Sequence, residues 1–561
     1  DSETAREYLL KAEAGANEAE HPYWLNHLGN FYEGERRFNE ALRYYERALA
    51  VARRLQQDEL PAILTNLARN GLERGDLKAA RTYLAEAIKI SQGDQQVSAR
   101  IVDARIRAAA KDVAGAIGLL QELKDSAKNA DTRWTAEGYL AELYAGGDRN
   151  ELAEATFRSA IQGVRVARAA VDPTLRFSFF NTTEEIFDAY VDFLMRNKRV
   201  SDALLATESI RAQTLEEIGS TRAVVNDARA IAKQRNATLL CYWLGRDRSY
   251  VWTVTPTAIT HAVLPRDRDI EALVDRYARD LPGNTSLASL QERGAALYRM
   301  LVEPAVRALP RDARVIVVPD GKLHALNYET LVVPNARRFW IEDVVLTTAP
   351  SLQLLASNSA KSGASMLLVG DPPPAPSFPK LPKAAQEIAN IARRFPKPVV
   401  LSGANATPDA YRKATPRRFD YVHFVAHGVA ATRPLDSHVI LGPDASKNYK
   451  LTADEILEQR LDARLVTISS CRGAGKRAFA GEGLVGLAWA FLGAGADQVI
   501  AALWDVSDTA TPELMDRLYA NIRAGKDPAV ALRDAKLVLV RAKTSLARPK
   551  YWAPFVLYSG S

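Results

Sequence analysis

Two places in this sequence set a chemically capable side chain directly after an apolar run. Residues 420–426 form one such run, and it ends in His427 and Gly428. Residues 464–470 form another, ending in Cys471, with Gly473 close behind. A histidine at the carboxyl end of a strand is placed to act as a general base, and a following glycine lets a substrate approach the backbone. A cysteine in the same position is a candidate nucleophile. The two are 44 residues apart, enough for one crossover helix between parallel strands. Adjacent strands would bring them to one sheet edge. There the imidazole takes the thiol proton and later protonates a leaving amine, which is acyl-transfer chemistry. Backbone N–H groups at Gly428 and Cys471 are the candidates for holding the oxyanion. Each residue alone has a plainer reading, a capping or core histidine and a buried inert thiol. The matched pair of strand ends favours the chemistry. Cys241, inside the apolar run 239–244 with no histidine near it in sequence, reads as core.

The elements that must position this pair read as an α/β region after about Ser220. Strands are expected over 239–244, 250–254, 314–318, 366–369, 421–426, 464–469 and 498–503. Helical patterns fall between them, as at 270–280, 384–395 and 484–492. Such alternation predicts a mostly parallel sheet covered on both faces. The Pro-rich stretch 370–382 is expected to be loop and to separate two halves of the region. The first third is helical and repetitive. Leu28, Gly29, Tyr32, Ala41, Tyr45 and Ala48 return as Leu67, Ala68, Gly71, Ala80, Leu84 and Ala87, and again as Leu140, Ala141, Tyr144, Ala153, Phe157 and Ala160. Weaker copies lie near Ala116 and Leu120 and near Val191, Leu194 and Ala203. Small residues at these places let antiparallel helices pack closely, with aromatics filling between pairs. The period of 39 residues from Gly29 to Ala68 exceeds the usual ~34, yet the segment resembles tetratricopeptide repeats. A generic array of helical hairpins is the plainer alternative, and both give an α-solenoid.

Cys471, Arg472 and Gly473 match part of the caspase signature, although Ser469 and Ser470 replace the Gln-Ala before it. The segments 317–326, 481–496, 499–508 and 551–557 complete a pattern that looks like a CHAT domain, a relative of caspases and separase, over about 236–561. The resemblance implies an α-solenoid followed by a caspase-like α/β fold, divided as 1–217 repeats, 218–364 an N-terminal, pseudo-caspase-like half and 365–561 a catalytic half. It implies a cysteine endopeptidase with His427 as base and Cys471 as nucleophile. Leu503, Trp504, Asp505, Val506, Ser507 and Asp508 are similar to a separase stretch whose acidic residue holds a basic side chain before the cut. Asp505 or Asp508, beside Trp504, would do the same here, and Glu482 is a further pocket candidate. A turn or helix-cap role for Asp505 and Asp508 stays equally open. Many CHAT domains carry Glu-Thr-Gly after the cysteine where this chain has Arg472, Gly473 and Ala474. The competing reading is a catalytically inactive caspase-like scaffold.

Composition narrows the remaining classes. The 561 residues exceed a single core, and 47% hydrophobic with 25% charged residues is ordinary for globular domains. Two cysteines exclude a disulfide framework and a Cys-rich zinc site. A net charge of +7 over this length, without a base-reading motif, gives no reason to expect nucleic acid. No apolar run reaches the ~20 residues of a membrane span. Gly473, Gly475 and Lys476 lack the other residues of a phosphate loop, and His423 and His427 lack the Glu of a zinc-protease motif. No metal or cofactor is expected. The expected partners are a protein substrate and a protein partner or regulator on the repeats, which would recruit substrate or restrain activity. A cytoplasmic setting is favoured, and a secreted or periplasmic one stays open because the sequence begins at Asp1.

Overall fold

The computed structural model describes residues 2–171, 183–211, 227–306, 309–334, 336–356, 363–375, 377–431, 433–470, 477–479, 483–507 and 509–560. The chain divides into two compact units, Asp1–Val171 and Asp172–Ser561.

The first unit is helical. After Ser2–Gly15 come four antiparallel pairs: His21–Gly34 with Phe38–Leu55, Leu60–Glu73 with Leu77–Ile90, Gly93–Ala109 with Val113–Ser126, and Ala130–Gly146 with Asn150–Ala170. The repeated small and aromatic residues are the contact. Ala41, Tyr45, Ala48, Ala80, Ala87, Ala153, Phe157 and Ala160 are all buried. The turn inside each pair repeats as well. Arg36, Gly75, Lys111 and Asp148, each two residues before the second helix, adopt a left-handed backbone. Gly29 shows how tight the pairing is. A Cβ there would lie 2.3 Å from Tyr45 Cε1. The Tyr45 hydroxyl is tied to Glu33 at 2.6 Å and Asn30 at 2.8 Å, so the ring has little room to give. Gly29→Ala is therefore expected to destabilise this unit by about 1–3 kcal/mol. Gly118 lies on the exposed face of Val113–Ser126 with open space beside it. Gly118→Ala should instead stabilise by about 0.5–1 kcal/mol. Urea unfolding of the two variants checks the pair of opposite signs.

The second unit is built on one sheet of eleven strands. In chain order these are β1 (Thr238–Trp243), β2 (Ser249–Val254), β3 (Ile259–Leu264), β4 (Ala313–Val318), β5 (Val344–Thr348), β6 (Met366–Gly370), β7 (Val399–Ser402), β8 (Tyr421–Val425), β9 (Leu465–Ser469), β10 (Gln498–Ala502) and β11 (Phe555–Ser559). Across the sheet they run β3-β2-β1-β4-β5-β11-β10-β9-β8-β6-β7. Seven of the ten pairings are parallel. Strands before residue 364 occupy one end and those after it the other. The C-terminal β11 joins them, parallel to β5 and antiparallel to β10. Both faces are covered, which is why the central strands read as continuous apolar runs. Leu367, Val422, Phe424, Val466 and Ile468 fill one core. Met366, Leu368, Tyr421, Val425, Leu465 and Ile500 fill the other, under the helices Ala384–Ala392 and Thr511–Arg523.

The boundary between the compact units falls after Val171, and two more helices follow it. Helices Glu184–Arg196 and Val200–Glu208 keep the repeat geometry, with Lys198 in the left-handed turn. Their polar side chains, however, bond to the sheet unit. Asp188 accepts from Trp243 Nε1 at 2.8 Å and from the Arg246 amide at 3.0 Å. Glu208 accepts from the Leu352 amide at 2.6 Å, and the buried Arg211 donates to Glu208 at 2.8 Å and to the Tyr242 carbonyl.

Candidate active site

Strands β8 and β9 are immediate neighbours, parallel and level. Tyr421 pairs with Leu465 and Val425 with Ser469. His427 and Cys471 each follow the last paired residue of their strand by two positions. Cys471 lies outside the described residues, as do Glu482 and Asp508 of the expected pocket.

His427 opens the short strand His427–Val429, which pairs with His438–Ile440, and Gly428 sits opposite Val439. Its ring is held by the Pro-rich loop. Nε2 lies 2.7 Å from the Pro379 carbonyl oxygen, and the Phe378 ring packs against it with centroids 5.5 Å apart. A carbonyl only accepts, so Nε2 carries the proton and Nδ1 is left as the basic nitrogen. Beside the ring is a small cavity of about 40 Å³ at the carboxyl ends of the central strands. His427, Ser469 and Ser470 line it together with Leu381, Glu387 and Val506.

Two other histidines of this unit, His324 and His423, are unsuited to acting as a base. Burial, and secondarily Arg211, push His324 down to about 3. His423 is fully buried with both ring nitrogens engaged. Burial pushes the Cys241 thiol up, and it lies inside β1 as core. Trp504, expected to bind substrate, is not among the described residues lining the cavity. It is 7% exposed and packs into the core. Val506, two residues on, faces the cavity instead. Asp505 is exposed and is not among the described lining residues. The carboxylate that does line the cavity is Glu387. Among the described residues no group of three His, Cys, Asp or Glu is placed to hold a metal ion, and no helix is long and apolar enough to cross a membrane.

Three features escaped the sequence reading: Pro379, Phe378 and Glu387. The Pro379 contact runs through a backbone carbonyl, which leaves no residue-type signature. Glu387 did leave a signal, since it falls on the apolar stripe of its helix with Ala384, Ile388 and Ile391.

Residues 291–560 match the CHAT domain model, and residues 20–93 match a tetratricopeptide repeat model. The chain joins tetratricopeptide repeats to a CHAT domain. The CHAT match begins within helix Leu287–Leu301, after β1–β3. The repeat match covers the first two full helix pairs. Among curated proteins the chain is similar to Tetratricopeptide repeat protein 28 of Mus musculus, 25% identical over 321 residues and 47% of this chain. The Homo sapiens protein of that name is 24% identical over the same share. The chain spans 13% of the length of these relatives. Among solved structures it is similar to the separase of the Saccharomyces cerevisiae separase–securin complex, at 10% identity and TM-score 0.46, covering 100% of this chain and 52% of that one. It is also similar to the Arg-specific cysteine proteinase gingipain R, at 12% identity and TM-score 0.31, covering 52% of this chain and 74% of that one.

Proposed function

We propose that the CHAT domain is a cysteine endopeptidase acting through His427 and Cys471. The observation that carries this reading is the pair of level, adjacent parallel strands β8 and β9, with a cavity and a carbonyl-held imidazole at their carboxyl ends. In the proposed reaction the Cys471 thiol gives its proton to His427 Nδ1. The thiolate attacks the peptide carbonyl carbon, a C–S bond forms, and the negative charge passes to the carbonyl oxygen. The backbone N–H groups of Gly428 and Cys471 are assigned to that oxyanion. Collapse breaks the C–N bond, and the leaving amine takes the proton from Nδ1. Water then attacks the thioester and gives a proton to Nδ1. The C–S bond breaks, the acid product leaves, and the thiol is restored. Throughout, the Pro379 carbonyl stabilises the imidazolium and holds the ring's orientation.

The tetratricopeptide repeats supply a protein-interaction surface, and we assign them recruitment of a substrate or partner and restraint of the peptidase. Restraint is tested by comparing the whole chain with residues 172–561, since a cut at 220 would remove Asp188, Glu208 and Arg211. Equal activity of the two would count against it.

The peptidase itself is tested with a peptide library varied at the residue before the cleavable bond, using the whole chain and Cys471→Ala. Cleavage present in the first and lost in the second is the expected result. Cleavage after Arg or Lys would support an acidic pocket from Asp505 or Asp508. Undiminished cleavage by Cys471→Ala would contradict the mechanism.

A further inference from the structure

Directly under the cavity lies a chain of polar side chains that the proposed reaction does not use. On β8, His423 places Nε2 3.0 Å from Glu387 Oε1 and Nδ1 3.0 Å from the Tyr519 hydroxyl. That hydroxyl donates to Thr467 Oγ1 on β9 at 2.9 Å. All four residues are buried, with Glu387 the most exposed at 3%. His423 and Thr467 are register partners, and they precede His427 and Cys471 by four residues each. The network thus clamps both strands and the two helices above them, Ala384–Ala392 and Thr511–Arg523, one step inside the candidate site.

Stability is a poor reason for such a group. A buried carboxylate–imidazole pair loses much of its attraction to desolvation, and well-packed apolar residues often do as well or better. Geometry is the better reason. Glu387 sits in the first turn of its helix. That helix is joined to the loop holding His427 by a tight turn, with the Ala384 amide on the Leu381 carbonyl at 3.2 Å and the Glu387 amide on the Lys383 carbonyl at 3.0 Å. Only Lys380 separates Leu381 from Pro379, and Pro379 and Pro382 each have a fixed φ. Movement of the first turn therefore transmits to the Pro379 carbonyl.

We propose that Glu387 and His423 are positioning residues for His427, their buried bond fixing the helix turn that holds the Pro379 carbonyl against Nε2. The proposal rests on the reading of His427 as the base, and it makes a claim about ring geometry that can be read without turnover. The decisive variant is the double replacement Glu387→Leu with His423→Phe, which removes both partners and keeps an apolar fill. It is examined in the whole chain with ¹⁵N-labelled histidine, alongside Glu387→Gln. In the wild type the His427 signals should show a protonated Nε2 and an unprotonated Nδ1. In the folded double variant they should become a mixture of tautomers. Peptide cleavage should lose roughly 10–100-fold in kcat with little change in KM. Glu387→Gln, whose amide oxygen still accepts from His423, should stay close to wild type in both readouts. An unchanged His427 tautomer in the double variant would overturn the proposal. So would loss of the fold, which would assign the pair to stability. If the wild type cleaves nothing, the peptidase reading fails, while the tautomer still decides whether Glu387 and His423 position the ring.

Discussion

His427→Ala should lower kcat/KM for a cleaved peptide by roughly 10³-fold, the middle of the range that a general base supplies. The loss should appear in kcat, since the imidazole acts on protons in flight and adds little to ground-state binding. Cys471→Ala should go further, to background, because it removes the proposed nucleophile itself. The neighbouring His438 makes a clean comparison. It stands opposite Val429 and spends Nδ1 on the Asp436 carbonyl at 2.6 Å. His438→Ala should leave cleavage within a few-fold of wild type. Steady-state kinetics on one peptide series reads all three, and a His427→Ala variant that kept wild-type turnover would remove the base from the account.

The largest effect on stability is expected at Lys536. Its ammonium has no exposure, pairs with Glu329, and donates to the Phe555 carbonyl at 2.5 Å. Phe555 opens β11, the strand that joins the two ends of the sheet, so this bond helps seat the join. Lys536→Met leaves the Glu329 carboxylate buried without its cation and should cost about 3–5 kcal/mol. Adding Glu329→Leu removes that stranded charge and should recover most of the loss. Thermal unfolding of the single and double variants measures both steps. A single variant as stable as wild type would mean that Glu329 is solvated rather than sealed in.

How far these features were readable in the residues depends on what each element shows to its neighbours. The seven expected strands are all present, because strands covered on both faces are buried along nearly their whole length, mostly by apolar residues. The strands that were missed are different. β3 and β7 are the two edges of the sheet, and they expose Val263, Val399 and Val400. β5 ends in two threonines, and the residues of β11 were read only as part of a family motif. The helical repeats were legible because close packing demands small residues at fixed spacing, as at Gly29 and Ala80. Helices Glu184–Arg196 and Val200–Glu208 carry the same spacing, and Asp188 and Glu208 tie them to the sheet unit. At the site, His427 was legible as a side chain at a strand end. Its support came from the Pro379 carbonyl and could not be. Glu387 stood in plain view as a charge on an apolar stripe, a conflict between levels of the kind that marks functional positions.

The measurement that bears most directly on the central claim is the rate at which iodoacetamide modifies Cys471 as a function of pH, in the whole chain and in His427→Ala. It needs no knowledge of the substrate. Cys241, whose thiol burial pushes up, is the internal standard and should stay unmodified while the fold holds. An isolated thiol of pKa ~8.5 has roughly 50-fold less thiolate at pH 6.5 than at pH 8.5. If His427 takes the Cys471 proton, wild-type modification should remain fast at pH 6.5, and His427→Ala should fall back to the isolated-thiol curve. Superimposable curves for the two proteins would contradict a His427–Cys471 dyad.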